Sequence, residues 1–170
     1  VIAKVSRHGI EVTHDYQGKD AAIPLPANLT IELGRRIKAR GSGMNIRLYS
    51  DYPFPWRKDN GPRDAFEHDA LNALRKDPSQ AYFRFEEYEG QTMLRYAVAD
   101  RMVAPCVECH NSHPASPKKD WKEGDVRGVL EVFRPITNFA ATAKSSQRKG
   151  FALIGSVAFL GLAGVGLFSR

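Results

Sequence analysis

Two cysteines, three methionines and two tryptophans are all that this chain of 170 residues holds of those types. With no cysteine outside positions 106 and 109, a zinc site built from two separated cysteine pairs is excluded. Runs of like charge are also missing. Basic residues come singly or in pairs such as Arg35-Arg36, Arg57-Lys58, Lys118-Lys119 and Arg148-Lys149, with acids such as Asp64, Glu67 and Asp69 among them. A net charge of +6 spread in this way is a solvated basic surface, not the stripe that tracks a nucleic-acid backbone. There is no internal repeat or low-complexity tract. A hydrophobic share of 42% against 26% charged residues excludes a mainly disordered chain, and the length suits one domain.

Long apolar runs are absent with one exception, "FALIGSVAFLGLAGVGLF" at 151–168, whose 18 residues carry no charge and a single hydroxyl, Ser156. As a helix it spans roughly 27 Å, close to the hydrocarbon thickness of a bilayer. It is apolar all round, unlike a core helix with one polar face, and it stands at the wrong end for a signal peptide. A membrane span is therefore expected there, preceded by a helical linker at 137–150. The chain opens on Val1 and stops at Arg170, so a piece of a longer polypeptide is expected.

The remainder alternates between helical and extended patterns. The stretch to Gly18 reads as the end of a helix entering a loop. A helix entered through Pro26 places Leu29, Leu33 and Ile37 on one face, with Gly41 at its end. A strand follows at 44–50, then a loop stiffened by prolines. Helix 63–76 carries Phe66, Ala70, Ala73 and Leu74 as a stripe. "AYFRFEEY", "EG" and "QTMLRYAVADRMV" read as a hairpin. The cysteine segment and a polar loop lead to a last strand at 126–136. Helix, strand, helix, hairpin and strand describe an α+β fold, an antiparallel sheet with flanking helices of PAS-like type.

"CVECHNSHP", 106–114, gathers Cys106, Cys109, His110 and His113. Four zinc donors within eight consecutive residues wrap awkwardly around one tetrahedral ion. A redox dithiol opens a helix after a buried strand, whereas "NSHPASPKK" does not look helical. A plain disulfide leaves the adjacent histidine unexplained. C-x-x-C-H, however, is the attachment signature of a c-type haem. Cys106 and Cys109 each form a thioether with a vinyl group, and His110 meets the iron from the same side, its other ring nitrogen hydrogen-bonded. The cofactor expected is one covalently attached haem c.

The chain resembles the extracytoplasmic, haem c-binding, PAS-like sensor domains of bacterial membrane receptors associated with cyclases or histidine kinases. The likeness runs through "AIPLP", "ELGRRI", "NIRLYSDYPFP" and "GPRDAFEHDALNAL" to "YAVADRMVAPCVECHNSHPASPKKDWKEGDVRGVLEV". It implies a periplasmic sensor domain at 1–136, anchored in the inner membrane and relaying to a cytoplasmic effector, with no catalysis in this segment itself. Cys106, Cys109 and His110 carry over. Some members place a further cysteine opposite the proximal histidine, and this chain has none for that role. The sixth ligand would then come from Met44, Met93, Met102, His8, His14, His68 or His113, or be water. Met102, four residues before Cys106, is the distal candidate; the helical position of His68 puts it on the surface, and His113 suits the loop beside Pro114. Propionate partners are sought among Arg47, Arg57, Arg95 and Arg101, and ring contacts among Phe83, Phe85 and Tyr96.

The expected signal is redox state or a small gaseous ligand, passed from the last strand through the linker to the span. A membrane-anchored mono-haem electron carrier is the alternative. Lys144, Arg148 and Lys149 before the span, against Arg170 after it, favour the opposite topology on charge alone. A receptor of this kind is expected to form a homodimer, although the span has no G-x-x-x-G spacing.

Overall fold

Residues 2–88 and 90–136 are described by a computed structural model. The expected linker and membrane span lie outside the described residues, among which no helix is long and apolar enough to cross a membrane. The chain runs through α1 (Ile2–Ser6), β1 (Glu11–Thr13), β2 (Ala22–Pro24), α2 (Pro26–Ala39), β3 (Asn45–Tyr49) and a 3-10 segment (Pro55–Asn60). It continues with α3 (Ala65–Lys76), β4 (Tyr82–Tyr88), β5 (Gln91–Arg101), α4 (Ala104–Ser112) and β6 (Val126–Pro135). The fold is mixed α+β, with a four-stranded antiparallel sheet ordered β3-β6-β5-β4 and flanking helices.

Alternation along the strands gives the sheet two different faces. One face presents Tyr49, Ala97 and Val129 to Phe66, Ala70, Leu71 and Leu74 of α3, forming the apolar core. Asp64 caps α3, its Oδ1 accepting the Glu67 backbone N–H at 3.0 Å, so the helix starts two residues later than its sequence pattern indicates. The opposite face presents Leu48, Val98 and Leu130 to a cavity that α2 and α4 help to enclose.

Helix α2 buries a different stripe from the one its leucines mark. Leu29 and Leu33 are 58% and 49% exposed, and the buried position is Gly34. Ala27, Thr30 and Ile31 face the cavity instead. The reason is close approach: a Cβ at Gly34 would sit 2.3 Å from the Ile46 carbonyl oxygen. Gly41 follows the helix with φ +67°, the left-handed position that ends it.

Three features depart from the sequence patterns. β1 and β2 form a separate two-stranded parallel ladder, too short to show periodicity. The proline-rich loop contains the 3-10 segment, whose two turns meet at Arg57. The cysteine motif is itself helical, since α4 covers all of "CVECH" and continues through Asn111 and Ser112. Pro105 suits the first turn of α4, and Pro114 holds His113 in extended backbone, which ends it.

Candidate functional site

A cavity of about 470 Å³ lies between the sheet, α2 and the segment from Phe54 to Asn60, with α4 along one wall. Its walls are mainly aliphatic and aromatic: Leu48, Val98 and Leu130 from the strands, Leu25, Ala27 and Ile31 from the α2 region, and Phe54 and Trp56. Cys106, Cys109 and His110 all line it. Residues i, i+3 and i+4 share a helix face, so helical backbone brings both thiols and the imidazole to one side. Both cysteines are free and exposed.

The imidazole of His110 is half-buried and stands among aromatic rings. Phe54 is 5.1 Å away, centroid to centroid, and Trp121 is edge-on at 6.5 Å. Burial, reinforced by the charges of Arg127 and Arg57, pushes the His110 pKa down to about 4. The ring is therefore neutral at neutral pH, the form that offers a lone pair to a metal. His113 is held differently: its Nδ1 accepts the Ala115 N–H at 3.1 Å. Its ring meets Phe54 and Trp56 edge-on. Among the described residues no three His, Cys, Asp or Glu side chains gather closely enough to hold a metal ion by themselves.

The other donor candidates divide cleanly. Met102, His14 and His113 are on the cavity wall, whereas Met44, Met93, His8 and His68 are not. Met102 is 2% exposed and is fixed between strand and helix, its N–H donating to Asp125 O and its carbonyl accepting from Gly124 N–H, both at 2.8 Å. The imidazole of His14 stacks on Trp56 at 4.1 Å and 13°. Trp56 in turn stacks on Phe54 at 4.6 Å.

Of the four arginines expected to face a cofactor, Arg57 and Arg101 line the cavity. Arg47 and Arg95 belong to the core-side face: Arg47 pairs with Glu67 at 2.7 Å, and Arg95 is buried against Glu131 at 2.6 Å. Phe83, Phe85 and Tyr96 do not reach the cavity either, being 57%, 59% and 43% exposed. Sequence patterns gave no sign of Arg127, which lines the cavity. The register steps from Asp100–Gly128 to Arg101–Val126, leaving Arg127 as the extra residue of a β-bulge. Strict alternation would class it with Val129 and Glu131, on the core-side face. A bulge breaks that alternation and re-aims the side chain. Phe54 and Trp56 were hidden for another reason, lying in a segment with no periodicity.

The family model described as Tll0287-like matches residues 2–135. A solved structure, "Crystal structure of the cyanobacterial heme-protein Tll0287", is 22% identical, with a TM-score of 0.49 over 62% of this chain and 68% of that one. No curated protein sequence matches the chain significantly.

Proposed function

The chain belongs to the Tll0287-like family, and on that premise we propose that it is the haem c-binding sensor module of a membrane receptor. The observation that carries this reading is the convergence of Cys106, Cys109 and a neutral His110 on one apolar cavity. Its volume, about 470 Å³, falls in the range of cofactor pockets. The family's namesake is titled a haem protein, which supports the same cofactor.

In this proposal Cys106 and Cys109 would tether one haem through thioethers and His110 would donate a ring nitrogen to its iron. Met102 would be a further iron donor, with His14 and His113 the other donors on the wall. When bound, the haem supplies an iron that changes oxidation state or takes a small ligand such as nitric oxide, carbon monoxide or oxygen. Aliphatic residues from α2 and the sheet would offer the macrocycle an apolar wall, and the Phe54 ring lies against the His110 imidazole.

The sheet order β3-β6-β5-β4 with helices on it fits a PAS-like domain, proposed to be periplasmic. Strand β6 supplies Arg127 and Leu130 to the cavity and ends at Pro135, close to the proposed linker at 137–150 and span at 151–168. A strand that both walls the site and leads to the membrane is a short physical route for coupling. The segment senses and does not catalyse; a cyclase or kinase activity would belong to another part of a longer receptor, working as a homodimer.

Absorption spectra of the oxidised and reduced protein, with and without carbon monoxide, test the sensing role. A carbon monoxide complex of the reduced form is expected. An unchanged low-spin spectrum in both states would instead identify an electron carrier. An alkaline phosphatase fusion after Val132 should be active, and an inactive fusion would contradict the periplasmic placement.

A further inference from the structure

We propose that Arg57 and Arg127 form a two-arginine clamp in the cavity wall that takes a pair of carboxylates, those on the edge of the bound haem. The inference rests on the haem reading above and adds to it the residues that bind the anionic edge.

Arg127 is placed by construction rather than by chance. It is the extra residue of the bulge in β6, and its carbonyl accepts a 2.5 Å hydrogen bond from the hydroxyl of Ser50, which is 2% exposed. Ser50 is itself held, its N–H donating to Asn60 O at 3.0 Å. Arg57 stands at the joint of the two 3-10 turns, with a guanidinium nitrogen donating to Asn28 Oδ1. Both side chains line the cavity that holds the cysteine–histidine motif.

Their electrostatic surroundings differ from those of the half-buried strand arginines Arg47 and Arg84, which pair with Glu67 and Asp69. Among the described residues Arg127 has no hydrogen bond from its side chain and no carboxylate within ion-pairing distance; Asp100 acts on it only from farther away. Burial lowers the pKa of both guanidiniums, and Arg127 further lowers that of Arg57. Two desolvated cations are therefore held near one another without an opposing carboxylate in contact. A guanidinium presents a planar fork that matches a carboxylate bidentately, so a dianionic edge would satisfy both forks and relieve their repulsion. The same chemistry could be met by a free dicarboxylate, and the test separates the two sources.

The full chain, produced without haem attachment and kept in detergent, is titrated with haemin, with haemin dimethyl ester and with succinate, reading the Soret band. The wild-type protein should bind haemin at least about tenfold more tightly than the ester, the discrimination expected from charge-assisted hydrogen bonds. R57Q/R127Q should bind both alike, at the ester's affinity. R57K/R127K, which keeps the charge and loses the fork, should fall between them, and circular dichroism checks that each variant is folded. Equal binding of haemin and ester by the wild type, or undiminished preference in folded R57Q/R127Q, would overturn the clamp while leaving haem binding intact. Competition by succinate at comparable concentration would overturn its assignment to the haem edge. Absence of any Soret change in the wild type would overturn the haem reading itself.

Discussion

The two faces of the sheet treat buried charge in opposite ways. On the α3 side, Arg95 is 1% exposed and surrounded by carboxylates: Glu131 at 2.6 Å, Asp64 at 2.8 Å and Glu86 at 2.9 Å. Its guanidinium also lies 4.2 Å from the Phe66 ring centroid and 4.6 Å from that of Phe133. On the cavity side, Arg127 and Arg57 have no carboxylate in contact among the described residues. A cation paired with several carboxylates in a packed layer is part of the core. A desolvated cation without a carboxylate, beside a cavity, is a binding group.

Breaking the core-side cluster should have the largest effect. R95A leaves Glu131 buried without its main partner and should cost about 3–5 kcal/mol, read by urea denaturation of the haem-free chain. A loss below about 1 kcal/mol would mean the cluster is not the structural element described. Closing the α2–β3 contact comes next. G34A places a methyl group 2.3 Å from the Ile46 carbonyl in the present geometry and should cost about 1–3 kcal/mol by overpacking, together with a change in the cavity.

Glu131 and His110 should also differ in the sign of their pH dependence. Burial raises Glu131 to about 7, above its ordinary 4.5. The folded state therefore holds more protons than the unfolded state between these values, and this contribution to stability is lost as pH rises through 7. His110 is depressed to about 4 from 6.5. The folded state therefore holds fewer protons in that window, and stability is lost as pH falls from 6.5 toward 4. In the haem-free wild type the two slopes oppose one another between pH 4.5 and 6.5. E131Q should leave stability rising with pH there, and H110Q should leave it falling; identical slopes in both variants would contradict the assignment. The smallest effect is expected for R127A, within about 0.5 kcal/mol of wild type without haem, in contrast to R95A.

How much of this was legible in the sequence depends on periodicity. Strands β3 to β6 and helix α3 could be read because their residues recur at strand or helix spacing between turn signals. Helix α2 was recognised but its buried face was not: close approach to Ile46 selects Gly34, a residue without hydrophobic signal, over Leu29 and Leu33. Helix α4 carries no apolar stripe in "APCVECHNS", so the helical backbone under the motif was invisible although the motif was plain. The donor set Cys106, Cys109 and His110 was legible as chemistry; its convergence on one cavity required the fold. Arg127 was hidden because a bulge cancels the alternation that would have assigned its face. Phe83, Phe85 and Tyr96 carried an aromatic signal that, in this chain, belongs to an exposed part of the hairpin.

The most direct test of the central claim is a pyridine-haemochrome spectrum after acid–acetone extraction, on protein from a host with haem c maturation machinery. Wild-type protein should retain a haem c band, and C106S/C109S should lose it. Extraction of all the haem from the wild type, or no Soret band before extraction, would contradict it.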